Sequence, residues 1–198
     1  PSISAEEFEL YKFDTRYSED SNMSLFVNRV ITLSQSFEDK QLIKGVDILK
    51  SWDKNTNFEN INASLPIISF GWFMETSPDV IPDELLIESF TLGVQYLYNH
   101  YGKLDVIWGN VNRLIRGNLN LGIAGGPDVS HAVYGLPAEE GYLKGYAGDA
   151  FLMLVEWGKD GQVSSQSIHQ YGSNTQHESS LHYADPVSYT HLRAHETS

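Results

Sequence analysis

Lys144-Gly145-Tyr146-Ala147-Gly148-Asp149-Ala150-Phe151-Leu152-Met153-Leu154-Val155-Glu156-Trp157 is the stretch on which the fold turns. Its β-branched and aromatic residues read as strand, Lys159-Asp160-Gly161 as a hairpin turn, and Gln162 to Tyr171 as the returning strand. The chain before Tyr101 reads differently. Ser4 and Glu7 stand at capping-box spacing ahead of Phe8, Leu10, Tyr11 and Phe13, which predicts a short helix to about Arg16. Met23, Phe26, Val27, Val30, Ile31 and Leu33 recur at helical spacing, and Leu42, Val46 and Leu49 mark a third helix. The apolar run from Ile61 to Met74 predicts a buried helix. Asp83 then opens a long amphipathic one through Leu86, Phe90, Val94, Leu97 and Tyr101. Glycines at 109, 117, 122, 125, 126, 135 and 141 mark the following region as loops and turns. Helices and then antiparallel strands, without βαβ alternation, predict an α+β architecture, helical over 1–101 and loop and strand over 102–185.

A chain of 198 residues has room for one domain with a sizeable core. A formal net charge of −13 argues against nucleic acid as a partner, because phosphate-binding surfaces depend on clustered Lys and Arg. With no cysteine there is no disulfide framework, thiolate metal site or thiol nucleophile. No run approaches the roughly 20 apolar residues of a membrane span. The start, Pro1-Ser2-Ile3-Ser4-Ala5, has no basic segment followed by an apolar one, and a helix signal follows almost at once. The sequence is therefore expected to begin inside a longer reading frame. At the other end, Val187-Ser188-Tyr189-Thr190-His191-Leu192-Arg193-Ala194-His195-Glu196-Thr197 resembles the translation of a sequencing adapter, so 186–198 is read as a non-native tail.

Several constellations invite chemistry and fail on spacing. Asp53-Lys54-Asn55-Thr56-Asn57 begins like a calcium loop, but Phe58 and Ser64 stand where the EF-hand needs Gly and a bidentate Glu. His177-Glu178-Ser179-Ser180-Leu181-His182 places its histidines five apart rather than four, about 140° around a helix, which is wrong for a zinc pair. Ser167 and His169 share a strand face without a nucleophile elbow around either. Gly172-Ser173 resembles a self-processing junction and reads better as a turn. Gly125-Gly126-Pro127 lacks the spacing and the Lys of a phosphate loop. Trp52, Trp72, Trp108 and Trp157 are expected to be core or interface anchors. Asp105, Asp149 and Glu156 show no paired-acid spacing. No metal site and no cofactor site emerges.

Five pieces of the chain together resemble a known family. They are Tyr11-Lys12-Phe13-Asp14-Thr15-Arg16-Tyr17-Ser18; Leu49 with Trp52-Asp53; Trp108-Gly109-Asn110-Val111-Asn112-Arg113-Leu114; Gly125-Gly126-Pro127; and Gly148 to Trp157 continued by Ser167-Ile168-His169-Gln170-Tyr171-Gly172-Ser173 and Ser180-Leu181-His182-Tyr183-Ala184-Asp185. In this order they are similar to the end of penicillin acylase family large subunits, in particular the branch with aculeacin-type and acyl-homoserine-lactone acylases. The resemblance spans about residues 1–185. Leu181 stands where the family usually has proline, and Pro186 stands where it has glutamine.

The resemblance implies part of an αββα N-terminal-nucleophile sandwich, from a precursor that cleaves itself into two subunits. The freed N-terminal serine attacks a linear amide carbonyl, its own α-amine takes the proton, and backbone N–H with an Asn side chain stabilises the oxyanion. That serine, that Asn and a supporting Arg correspond to positions upstream of Pro1, so no catalytic residue is carried over. His182, Tyr183 and Asp185 match a family signature read as structural. The implied partners are an acyl-amide substrate and the small subunit of the same precursor, with no cofactor, and the implied location is periplasmic or secreted. By itself the chain is expected to be inactive and to expose apolar faces. The competing expectation is a non-catalytic binding module.

Overall fold

A computed structural model describes residues 3–149 and 151–169. His182, Tyr183, Asp185, the His177–His182 pair, Gly172-Ser173 and the adapter-like tail lie outside the described residues. The helical half holds six helices: α1 (Ala5–Lys12), α2 (Asn22–Leu33), α3 (Lys40–Ser51), α4 (Ser64–Phe70), α5 (Asp83–Tyr101) and the short α6 (Trp108–Val111). The starts of α1, α2 and α3 are set by polar side chains that satisfy free N–H groups of the first turn. Ser4 and Glu7 form the reciprocal capping box of α1, Ser21 accepts from Ser24 N–H in α2, and Asp39 accepts from Gln41 and Leu42 N–H in α3. Gly102 closes α5 in the left-handed region at φ 70°.

One apolar core joins α2 to α5. Met23, Phe26 and Val30 from α2, Val46 and Leu49 from α3, Leu65 and Phe70 from α4, and Leu86, Phe90 and Leu97 from α5 are all buried. Small residues let the helices approach. A Cβ on Gly45 would stand 2.9 Å from both Phe90 and Val94, and one on Gly93 would stand 2.1 Å from Ser69 Oγ. These contacts seat α3 and α4 against α5.

The structure differs from the sequence reading in four ways. First, the glycine-rich stretch contains strands β1 (Asn112–Arg116), β2 (Leu119–Gly122) and β3 (Val133–Pro137). Its glycines serve turns and close strand contacts: a Cβ on Gly135 would lie 2.7 Å from that of Leu143 in the adjoining strand. Second, Lys144 to Trp157 is two strands, β4 (Leu143–Gly148) and β5 (Phe151–Trp157). Gly148 breaks the run at φ 142°, where a Cβ would sit 2.2 Å from Ala132 O. Third, the four-stranded sheet has order β2-β1-β4-β3 and is mixed, because β1 and β4 run parallel while the β1–β2 and β3–β4 pairs are antiparallel. Fourth, α1 stops at Lys12 because the next residues are taken by another segment. Tyr17 N–H bonds Lys54 O at 3.0 Å, Thr56 N–H bonds Thr15 O at 2.9 Å, and Arg16 bridges Asn55.

β5 and β6 (Val163–His169) form a separate antiparallel hairpin around the expected turn, with Gly161 at φ 81°. One face of it is uncovered: Phe151, Met153, Trp157 and Val163 are exposed, as are Phe8 and Tyr11 on α1, while Leu152, Leu154 and Val155 are half-buried. The α+β architecture is present, and among the described residues no helix is long and apolar enough to cross a membrane.

Candidate functional site

The loops between the helical layer and the four-stranded sheet converge on one buried knot. Tyr17 donates from its hydroxyl to Pro127 O at 2.5 Å and packs edge-on against Trp52, ring centres 5.7 Å apart. Trp52 Nε1 donates to Asn55 O at 2.9 Å, and Trp108 Nε1 donates to Gly125 O at 2.8 Å. Asn112, 1 % exposed, donates from Nδ2 to Ile123 O at 3.1 Å. Gly125 adopts φ 88°, and a Cβ there would meet His131 O at 2.4 Å. A bulkier residue would push the loop off the Trp108 indole. Burial drives the Tyr17 hydroxyl well above its ordinary pKa, with the Asp128 charge adding to the effect, so it remains a proton donor.

Beside the knot, Lys12 clasps the β4–β5 junction. Its Nζ lies 2.6 Å from Asp149 Oδ2 and 2.6 Å from Ser130 O. His131, buried at 1 % exposure, places Nδ1 3.7 Å from the same carboxylate oxygen and stacks at a tilt on Phe13. Burial would raise the Asp149 carboxyl, but the His131 and Lys12 side chains outweigh it and hold the carboxyl below its ordinary value. The distances make Lys12 the stronger partner, since 3.7 Å exceeds hydrogen-bond length. The Lys12–Asp149 ion pair, with His131 beside it, fixes this junction.

On the other side of the knot a cleft of about 240 Å³ opens between α4 and α5 and the β3–β4 pair, with Trp108, Asn112 and Pro127 along its wall. The sequence reading did not find this cleft. The one available signal was that Ser89, Gly93 and Tyr96 recur at helical spacing along the flank of the core stripe of α5.

The residues singled out from sequence separate accordingly. The Asp53 loop turns its side-chain oxygens on its own backbone: Asp53 Oδ1 accepts from Asn55 N–H, Asn55 from Asn57, Asn57 from Glu59 and Asn60 from Asn62, a series of Asx turns. Trp52 and Trp108 are core, whereas Trp72 and Trp157 are exposed. Ser167 is exposed on β6, and Asp105 lies 4.0 Å from Lys103. Among the described residues no group of three or more His, Asp and Glu gathers where a metal ion could be held. Compared with known proteins, the chain matches no family model and no curated protein.

Proposed function

We propose that the chain is the C-terminal part of a penicillin-acylase-type large subunit, from a parent protein that hydrolyses linear amides and releases an acyl chain from an antibiotic, lipopeptide or acyl-homoserine-lactone head group. One observation carries the reading. The five pieces that resemble the family, scattered over more than a hundred residues, are bonded to one another. Tyr17 of the first piece reaches Pro127 of the fourth and packs on Trp52 of the second. Trp108 of the third reaches Gly125 of the fourth, and Lys12 of the first reaches Asp149 of the fifth. Residues kept for local turns alone would not need such mutual support.

In this reading the chain positions and does not attack. Its helical layer over a mixed sheet contributes to an αββα sandwich, and the hairpin β5–β6 meets chain supplied by the rest of the precursor. The serine, its amine, the oxyanion Asn and the supporting Arg belong upstream, and the small subunit completes the site in a periplasmic or secreted enzyme. The test is expression of the complete parent reading frame. The expected result is self-cleavage at a small-residue–Ser junction and hydrolysis of a chromogenic acyl amide, both abolished by Ser→Ala at the junction, with no turnover by the 198-residue chain alone. A parent without that junction, or turnover by this chain alone, overturns the proposal.

The cleft favours a second reading, a non-catalytic binding module, since exposed Trp72 and Tyr146 stand on its walls. Amide hydrolysis by the parent would exclude it.

A further inference from the structure

We propose that the β5–β6 turn is a site of spontaneous covalent modification, in which the Asp160–Gly161 linkage rearranges through a cyclic imide to isoaspartate. The proposal does not rest on the amidase reading, because its test reads a covalent change in this chain and not hydrolysis of a substrate.

Side-chain chemistry singles out the position. Imide closure needs a carboxyl or amide side chain of Asp or Asn length followed by a main-chain nitrogen that nothing shields. Asp160-Gly161 is the one place in the sequence where Asp or Asn precedes Gly. Gly161 has no Cβ, and nothing lies within 4 Å of where one would stand, so its amide is open on that side. Asp105 and Asp128 each precede a valine, whose branched side chain crowds the attacking nitrogen.

The folded turn sets the gate. Gly161 N–H donates to Gly158 O at 3.0 Å, and Asp160 Oδ1 accepts from Gln162 N–H at 3.0 Å in an Asx turn. Both reacting groups are thereby engaged elsewhere, and ring closure waits for the turn to open. Opening is cheap at this place. Residues 156–167 are all exposed, and β5 and β6 pair only with each other among the described residues. A two-stranded hairpin with few buried side chains sits at the low end of local stability.

The step balances with water alone. Gly161 N attacks Asp160 Cγ, a C–N bond forms, and a carboxyl oxygen leaves as water with the amide proton. Water then adds at the main-chain carbonyl carbon of Asp160 and breaks its bond to Gly161 N. The chain now runs through Cβ and Cγ, one atom longer, with the free carboxylate on Cα. The Asx acceptor is displaced, and the turn no longer matches the ladder that begins at Trp157 and Val163.

The 198-residue chain is aged for weeks at neutral pH and physiological temperature. Isoaspartate is read by enzymatic methyl transfer from S-adenosylmethionine and located by mass spectrometry of peptides. Label is expected at Asp160 above every other Asp or Asn. Asp160→Glu, which can close only a larger and slower ring, is expected to lose that label. Asp160→Asn, which expels ammonia, is expected to react at least about tenfold faster at neutral pH, a barrier lower by about 1.4 kcal/mol. Mild acid is expected to speed the wild type, whose protonated carboxyl is the better electrophile, and to slow the Asn variant, whose attacking amide must shed its proton. Leu154→Gly, which weakens β5, is expected to raise the rate at Asp160. Label no greater at Asp160 than elsewhere, label that survives Asp160→Glu, or equal rates in wild type and Leu154→Gly overturns the proposal.

Discussion

Trp108 is 1 % exposed and Trp157 is 73 % exposed, though each stands in an apolar stretch of a chain with one continuous helical core. Around Trp108 each group has a use: the ring fills the core, its N–H meets Gly125 O, and its own backbone N–H meets Asn60 O at 2.8 Å. Around Trp157 the β5–β6 ladder satisfies only the backbone, and the side chains of Phe151, Met153 and Trp157 face solvent. Two-stranded hairpins are at best marginally stable without a third strand or a packed layer. The knot region therefore carries its own stability, whereas the hairpin has an uncovered apolar face among the described residues.

The contrast breaks if the two tryptophans respond alike to truncation. Trp108→Ala removes a buried ring and leaves Gly125 O only the 3.4 Å bond from Asn112 Nδ2, so the expected loss is about 3–5 kcal/mol by urea unfolding, a large fraction of an ordinary domain's stability. A loss under about 1 kcal/mol would mean that the knot is not a core.

The junction between the regions should give an intermediate effect. Lys12→Met leaves the Asp149 carboxylate half-buried without its ammonium, for an expected loss of about 1–3 kcal/mol at pH 7. The sign of the pH dependence follows from the lowered Asp149 value. A carboxyl whose folded pKa is depressed stabilises fully above its unfolded value of 3.8 and stops doing so as pH falls through the lower folded value. Unfolding of wild type and variant, compared from pH 7 to pH 2, should therefore show a gap that narrows in that acid range. A gap independent of pH would remove Asp149 from the account.

The smallest effect belongs to the hairpin. Trp157→Ser should change stability by less than about 0.5 kcal/mol, since the side chain packs against little. The same change should reduce binding of a hydrophobic dye and slow aggregation. A destabilisation comparable to that of Trp108→Ala would show that the hairpin is packed after all.

Much of the helical half is legible from local signals. The Ser4–Glu7 capping box, the α2 and α3 periodicity and the Asp83-to-Tyr101 span lie where spacing alone puts them, because caps and amphipathic faces act within one or two turns. The strands of 112–137 are not legible. Their glycines signal turns to a reader of sequence, yet Gly122 and Gly135 are glycine because another backbone or side chain lies where a Cβ would be. The cleft was hidden for the same kind of reason: its walls come from α4, α5, β3 and β4, and no contiguous stretch carries its chemistry.

Sequence alone determined the α+β order, the presence of α2 and α3, the span of α5, the absence of thiol chemistry and the acidic balance, since each depends on composition or on neighbours a few residues away. Tertiary structure alone decided that β4 and β5 part at Gly148, that β1 runs parallel to β4, that Lys12 finds Asp149, and that the lining of the cleft carries no charge. Those outcomes depend on which distant groups exclude one another's atoms or satisfy one another's hydrogen bonds, and the spacing of residues along a chain does not encode such pairings.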